Sequence, residues 1–448
     1  MDRRSFISKA TIGSAGILTI PNVANMSYTI EGRKNKVKKV LNYIKNNWDK
    51  TIILDKPGKG FLGVDIPYPY SSPSIIGEGH FTFFFYWDTY FTNLGLISHG
   101  RVDQAKNNIK NILWFIDEQG FMPNHVGLHN RSQPPYLQLM VSHYQEKVKN
   151  SDEPFLKACA EGLRKEYQFW MTARHNPIGL NSYGHQENAA SCIEFYENVV
   201  ERLKSTTSTP LTEEQKSIQG GHYIAEAESG WDFNQRFNAK CMDYVPIDLN
   251  ALLFGYEEYL AKAAEKYNWF FKDLYAQRSR QRLQLINQYC WNDEKGWYFD
   301  YDFVNKKQSN TYSLAGMQPF FMGIADQKQA AKMVENLPQL ERTFGLAVAK
   351  EEAGSQKYQW AFPIVWPPMV YITVMGLKRY GYEKEAKRIA LKYLEVNARL
   401  FEKNGKLFEK TDAETGKIAN VEYGAAPLMD WTAGVFVALA DYLDINSD

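Results

Sequence analysis

The 448-residue chain lacks most of the features that announce a metal, a cofactor or a membrane span. Its four cysteines, Cys159, Cys192, Cys241 and Cys290, lie far apart with no CxxC pair. That excludes a zinc knuckle or a redox dithiol motif and leaves buried free thiols as the plain reading. The eight histidines include no HExxH, and no glycine-rich phosphate loop of the Walker or dinucleotide type is present, so no metal and no cofactor are implied. Charge of one sign is also missing, with 52 Lys and Arg against 51 Asp and Glu and no basic stripe along any helix, which argues against nucleic acid as a partner. Neutral partners fit better. No low-complexity linker divides the chain, so residues 27–448 read as one domain.

What is present begins with an N-terminal signature. In "MDRRSFISKATIGSAGILTI" the adjacent Arg3 and Arg4 precede an apolar run from Ala10 to Ile20. That run is too short to span a bilayer, so residues 1–26 read as an export signal of the twin-arginine kind, with no stable membrane insertion after its removal. A frayed amphipathic N-terminus is the competing reading. Aromatics make up 15% of the chain, with 11 Trp and 28 Tyr, enough both for a large core and for rings on which flat sugar faces stack.

Helical periodicity dominates the rest. "RVDQAKNNIKNILWFIDEQG" from Arg101 places apolar residues on one face and stops at Gly120, a suitable C-terminal glycine. Similar patterns predict helices over Tyr136–Lys149, Glu153–Thr172, Asp248–Tyr267, Trp269–Cys290, Gln327–Asn336, Met369–Tyr380, Glu383–Asn404 and Trp431–Leu443. Between them lie long loops rich in Gly, Pro and aromatics: Leu62–Phe83, Phe121–Pro135, Asn176–Asn188, Gly220–Arg236, Lys350–Pro368 and Leu407–Asp430. Loops of that length inside a domain are usually functional. Helical hairpins with elaborated loops suggest a ring of helices, although periodicity alone permits a solenoid or a bundle equally.

The stretch "AEAESGWDFNQRF", Ala225 to Phe237, interleaves Glu226, Glu228, Asp232 and Arg236 with Gly230, Trp231 and Phe233. A solvated helix face would gather its charges on one side. Asp232 reads either as a helix N-cap ahead of "FNQRF" or as a reactive carboxyl. "ESGWDF" resembles a motif of the trehalase family of glycoside hydrolases. "YWDTYF" (86–91), "NRSQPP" (130–135), "VPIDLNAL" (245–252), "FEKTD" (408–412) and "VEYGAAPLMDWTAGV" (421–435) resemble others, in that family's order, from about Phe81 to the C-terminus.

The resemblance implies an all-α (α/α)6 barrel and an inverting hydrolase of an α-linked glucoside, needing no cofactor, with trehalose first among its substrates and another α-disaccharide or α-glycoside, of the α-glucosidase or α-mannosidase type, as the alternative. It also implies Asp232 as general acid and Glu409 as general base. Acetal hydrolysis needs such a pair, one carboxyl to protonate the leaving oxygen and one to activate water, roughly 6.5–9.5 Å apart in inverting enzymes. Trp231 and Phe233 are expected to exclude water from Asp232. Carried over as sugar ligands are Trp87, Asp88, Asn124, Arg131, Gln133, Glu187, Gly230, Trp366 and Glu422. The pattern is broken at His80 and His185, where arginines are expected, and at Ala361 and Val370, which replace an aspartate and a glutamine. Losing those charge-assisted hydrogen bonds, worth about 1.5–3 kcal/mol each, is expected to redirect sugar specificity. Two rivals stay open: a sugar-binding protein that has lost turnover, and a helical scaffold for protein recognition.

Overall fold

The computed structural model describes residues 23–54, 66–79, 81–149, 152–204 and 210–446. Most of the predicted signal, residues 1–22, and His80 lie outside the described residues. The helices are α1 (Val23–Asn47), α2 (Tyr86–Ser98), α3 (Val102–Gln119), α4 (Leu137–Lys147), α5 (Glu153–Ala173), α6 (Ala189–Arg202) and α7 (Glu213–Glu228). They continue with α8 (Ile247–Lys266), α9 (Lys272–Tyr289), α10 (Met317–Met322), α11 (Gln327–Asn336), α12 (Pro367–Arg379), α13 (Glu383–Asn404) and α14 (Asp430–Tyr442). Among the described residues, no helix is long and apolar enough to cross a membrane.

Helix α2 packs on α4, α4 on α8, α8 on α10, α10 on α12, α12 on α14, and α14 back on α2. That closes an inner ring of six. Helices α1, α3, α5, α9, α11 and α13 alternate with them along the chain and form the outer layer, giving an (α/α)6 barrel. Helices α6 and α7 pack on each other as an additional hairpin.

Burial follows from these positions. Every residue of α2 from Tyr86 to Ile97 is buried, as a helix enclosed on all sides requires. The outer α3 instead buries one stripe that includes Ala105, Ile109, Ile112, Phe115 and Ile116, and it ends at Gly120 with φ +82°. Helices α2 and α14 touch through their backbones, where a Cβ on Gly434 would lie 1.9 Å from the Phe91 carbonyl oxygen. Any larger residue there would separate the two helices that carry Trp87, Asp88 and Trp431.

Strands are short and antiparallel, five pairs and one three-stranded sheet among the described residues, and they brace loops. Ile364–Val365 pairs with Thr411–Asp412, and Asn420–Val421 with Tyr423–Gly424, leaving Glu422 alone in the turn at φ +61°. The structure corrects one predicted loop. Gly220–Arg236 is helical as far as Glu228 because α7 runs through Gly220, whose missing side chain lets it lie against the Cys192 carbonyl.

Candidate active site

At one mouth of the barrel the loops enclose a cavity of about 420 Å³. Pro73, Phe81, Phe85, Trp87 and Asp88 supply one part of its wall; Asn124, His125, Leu128, Arg131 and Gln133 another. Arg202, Gly230 and Asp232 follow, then Gln359, Trp360 and Trp366, and finally Glu409, Tyr423, Leu428 and Trp431.

The first segments are fixed by backbone hydrogen bonds. Gln133 Oε1 accepts from the amides of Tyr86 and Trp87, each at 3.2 Å, which caps α2 and holds Trp87 and Asp88 at the mouth. Arg131 donates through Nε to Asn124 Oδ1 at 3.2 Å, and the Asn124 amide donates back to the Arg131 carbonyl. Gly230, at φ +73°, sits where a Cβ would be 3.0 Å from the Trp87 ring, so only glycine brings the chain so close to that indole.

A tryptophan floor lies beneath. Trp360 and Trp366 stack at 4.0 Å with an interplanar angle of 3°, Trp231 stacks on Trp360 at 4.9 Å, and Trp87 and Trp431 meet edge to face at 5.6 Å. The Trp366 indole donates to the Gln359 carbonyl at 2.9 Å, while Trp431 Nε1 has no hydrogen-bond partner among the described residues.

The charges of "AEAESGWDFNQRF" divide into two groups. Glu228, fully buried, forms a two-pronged pair with Arg174 at 2.8 and 2.9 Å and accepts from the amides of Ser132 and Gly184. Arg236, also fully buried, pairs with Asp248 and Asp300 and lies over the Trp231 ring. These groups brace the segment from behind the wall. Asp232 is different: its side chain is 32% exposed, and Oδ2 accepts from Arg202 Nη1 at 3.1 Å. Trp231 and Phe233 are buried behind it, and the segment after it is not a helix, so Asp232 serves as no N-cap. The expected exclusion of water by those two rings is therefore corrected, because Trp231 stacks on Trp360 and Phe233 lies under Arg202, and the carboxyl stays partly open.

Glu409 is only 5% exposed. Its Oε1 accepts from the Tyr423 hydroxyl at 2.8 Å, and its Oε2 has no hydrogen-bond partner among the described residues, Lys410 Nζ standing 3.7 Å away. Burial pushes the Glu409 carboxyl above its ordinary range, with Lys410 and Tyr423 opposing that shift. Lys410 itself has no exposed side-chain surface, donates to Gln359 Oε1 at 2.6 Å, and is pulled down to about 8 by burial. Asp88 lies against Asp430. Burial first, and then each other's proximity, hold Asp88 well above the usual carboxylate range, while burial lifts Asp430 to about 7.

Of the residues carried over from the sequence, Trp87, Asp88, Asn124, Arg131, Gln133, Gly230, Asp232, Trp366 and Glu409 all line the cavity. Glu187 does not, and stands half-buried with its amide donating to His185 Nδ1. Glu422 is likewise outside the wall; it accepts from Arg202 Nε at 2.8 Å and from the Gln359 amide at 2.9 Å. His185, Ala361 and Val370 line no part of the wall, so the expected diversion of specificity has no support from those three positions. His185 instead packs against Gly221. Sequence reasoning missed Arg202, Tyr423 and Lys410. Tyr423 and Lys410 lay within quoted motifs, whereas Arg202 carried no local signal.

Stacked indoles, paired carboxyls and amide and guanidinium donors around a small cavity, on an (α/α)6 barrel, define a six-hairpin carbohydrate-active enzyme. The family model described as "Trehalase" matches residues 19–444, and the chain belongs to the trehalase family; it is a glycoside hydrolase. It is similar to the periplasmic trehalase of Escherichia coli K12, 29% identical over 405 residues that cover 84% of this chain and 69% of the relative. Among solved structures it resembles neutral trehalase Nth1 from Saccharomyces cerevisiae, with TM-score 0.71 and 24% identity over 90% of this chain and 79% of that one. A GH63 mannosylglycerate hydrolase from Thermus thermophilus, solved in complex with glucose, shares the fold at TM-score 0.57 and 17% identity, covering 82% and 95% of the two chains.

Proposed function

We propose that this chain is an exported, inverting hydrolase whose preferred substrate is trehalose, with Asp232 as general acid and Glu409 as general base. The observation that carries the reading is the presence of these two carboxyls, far apart in sequence, on one cavity beside a floor of indoles. Glu409 Oε2 has no hydrogen-bond partner among the described residues, so it is free to take a proton from water. The Tyr423 hydroxyl holds the other oxygen and fixes the carboxylate plane. Asp232 is held at Oδ2, which leaves Oδ1 to donate a proton to the glycosidic oxygen. Water then adds to the anomeric carbon as that bond to oxygen breaks, and the second sugar leaves as an alcohol. Asp88, Asn124, Arg131 and Gln133 supply hydroxyl partners, and the tryptophans receive the apolar sugar faces.

The name of the periplasmic relatives supports trehalose as the substrate and, with Arg3 and Arg4 ahead of an apolar run, supports export. Residues 27–448 then form the mature catalytic domain. The test is product analysis on a panel of α-linked disaccharides that includes trehalose. Release of glucose from trehalose, faster than from the other members, is expected. Binding of a disaccharide without turnover of any panel member would overturn the reading in favour of a sugar-binding protein.

A further inference from the structure

Arg202, the last residue of α6, reaches the cavity wall from the hairpin outside the six-helix ring. Its guanidinium makes three directed contacts: Nη1 to Asp232 Oδ2 at 3.1 Å, Nη2 to the Asp232 backbone carbonyl at 2.9 Å, and Nε to Glu422 Oε2 at 2.8 Å. The side chain lies over the Phe233 ring at 5.0 Å, which limits its swing. Glu422, with a side chain 1% exposed, is held in turn by the Gln359 amide. Gln359 Nε2 donates to the same Asp232 carbonyl at 2.6 Å, and its Oε1 accepts from Lys410, the neighbour of Glu409. A chain of polar contacts therefore runs from Asp232 to Glu409, and Arg202 closes its acid end.

Resting on the reading of Asp232 as the acid, we infer that Arg202 is its positioning residue: the guanidinium fork selects Oδ2 as the anchored oxygen and aims Oδ1 at the leaving group. A planar fork can grip a carboxylate and a carbonyl together while Nε binds a third oxygen; an ammonium cannot. A substitution that keeps the charge and loses the fork therefore separates geometry from charge. The charges facing Asp232 are Arg202, Arg131 and Lys410 on the positive side and Glu226, Glu409 and Glu422 on the negative, with the Tyr423 hydroxyl beside them. Of these, Arg202 touches the carboxylate.

The experiment compares Arg202→Lys and Arg202→Gln with wild type in kcat and KM, on the disaccharide that wild type hydrolyses fastest and on α-glucosyl fluoride, whose fluoride leaves without a proton from an acid. Arg202→Lys keeps the charge and loses the fork. On the disaccharide its kcat should fall about 10²-fold, the cost of a misplaced reacting group, with KM nearly unchanged. Arg202→Gln should lose at least as much, and both variants should keep most of their activity on the fluoride, a rescue that a merely structural role would not give. Circular dichroism and melting temperature report whether each variant folds. Folded Arg202 variants with wild-type kcat on the disaccharide, or with equal losses on both substrates, alongside an inactive Asp232→Asn, would overturn this inference and leave the acid assignment standing. An active Asp232→Asn would overturn both.

Discussion

The two sides of the cavity solve opposite problems. On the side of Asp232, Glu228 and Arg236 are fully buried and locked in two-pronged ion pairs, yet Asp232 between them is a third exposed and held by a single cation. On the side of Glu409, the carboxyl is almost fully buried, with one oxygen fixed by Tyr423 and the other open, and with a buried lysine behind it. The difference teaches that charge is compensated in pairs behind the cavity and left with an open oxygen where it faces the cavity. The proposed roles fit that contrast, since an acid needs access to a large leaving group, whereas a base needs one water and gains basicity from being dry.

The largest effect that can break this comparison is loss of either carboxyl. Asp232→Asn and Glu409→Gln keep size and hydrogen-bonding capacity but cannot exchange a proton, so each should lose about 10²- to 10⁴-fold in kcat at nearly unchanged melting temperature. Steady-state kinetics with calorimetry checks this. Near-normal turnover in either would dissolve the distinction between the two sides.

A smaller effect sharpens it. Glu226, on the side of Asp232, is 1% exposed and accepts from the Asn234 amide, and burial lifts its carboxyl to about 8. Between the unfolded value near 4.3 and about 8, the unfolded chain has released a proton that the folded chain keeps. Stability therefore falls as pH rises through that window, by at most about 1.4 kcal/mol per pH unit from this group. Glu226→Gln retains the acceptor and removes the titration, so its melting temperature should decline less than that of wild type between pH 5 and pH 8. Parallel declines would show that Glu226 ionises freely in the folded state.

Amphipathic helices were legible because they carry their period in sequence: α11 and α13 occupy the spans read from apolar spacing, and α3 stops at Gly120 as expected. Helix α2 was harder, because it is buried on every side and has no polar stripe to set a period. In the additional hairpin, α7 contains Gly220 and Gly221, which read as loop until their close approaches to the Cys192 carbonyl and the His185 ring explain them. In the site, motif resemblance reached the residues of the cavity wall that sit within continuous strings, such as Trp87 with Asp88 and Arg131 with Gln133. Glu187 stands outside the wall with the whole of its string, whereas Glu422 stands just behind it, in a string whose Tyr423, Leu428 and Trp431 do line the cavity. Arg202 was invisible because "ERLK" at a helix end looks like any solvated turn, and only the packing of α6 brings it to Asp232.

The central claim, that Asp232 and Glu409 act as an inverting pair, is tested most directly by following the anomers released from trehalose by proton NMR before mutarotation sets in. Direct attack of water on one anomeric carbon inverts that centre and leaves the other untouched. Equal amounts of α- and β-glucose in the first turnovers are the result this account predicts. Release of α-glucose alone from both halves would mean retention through a covalent intermediate and would contradict it.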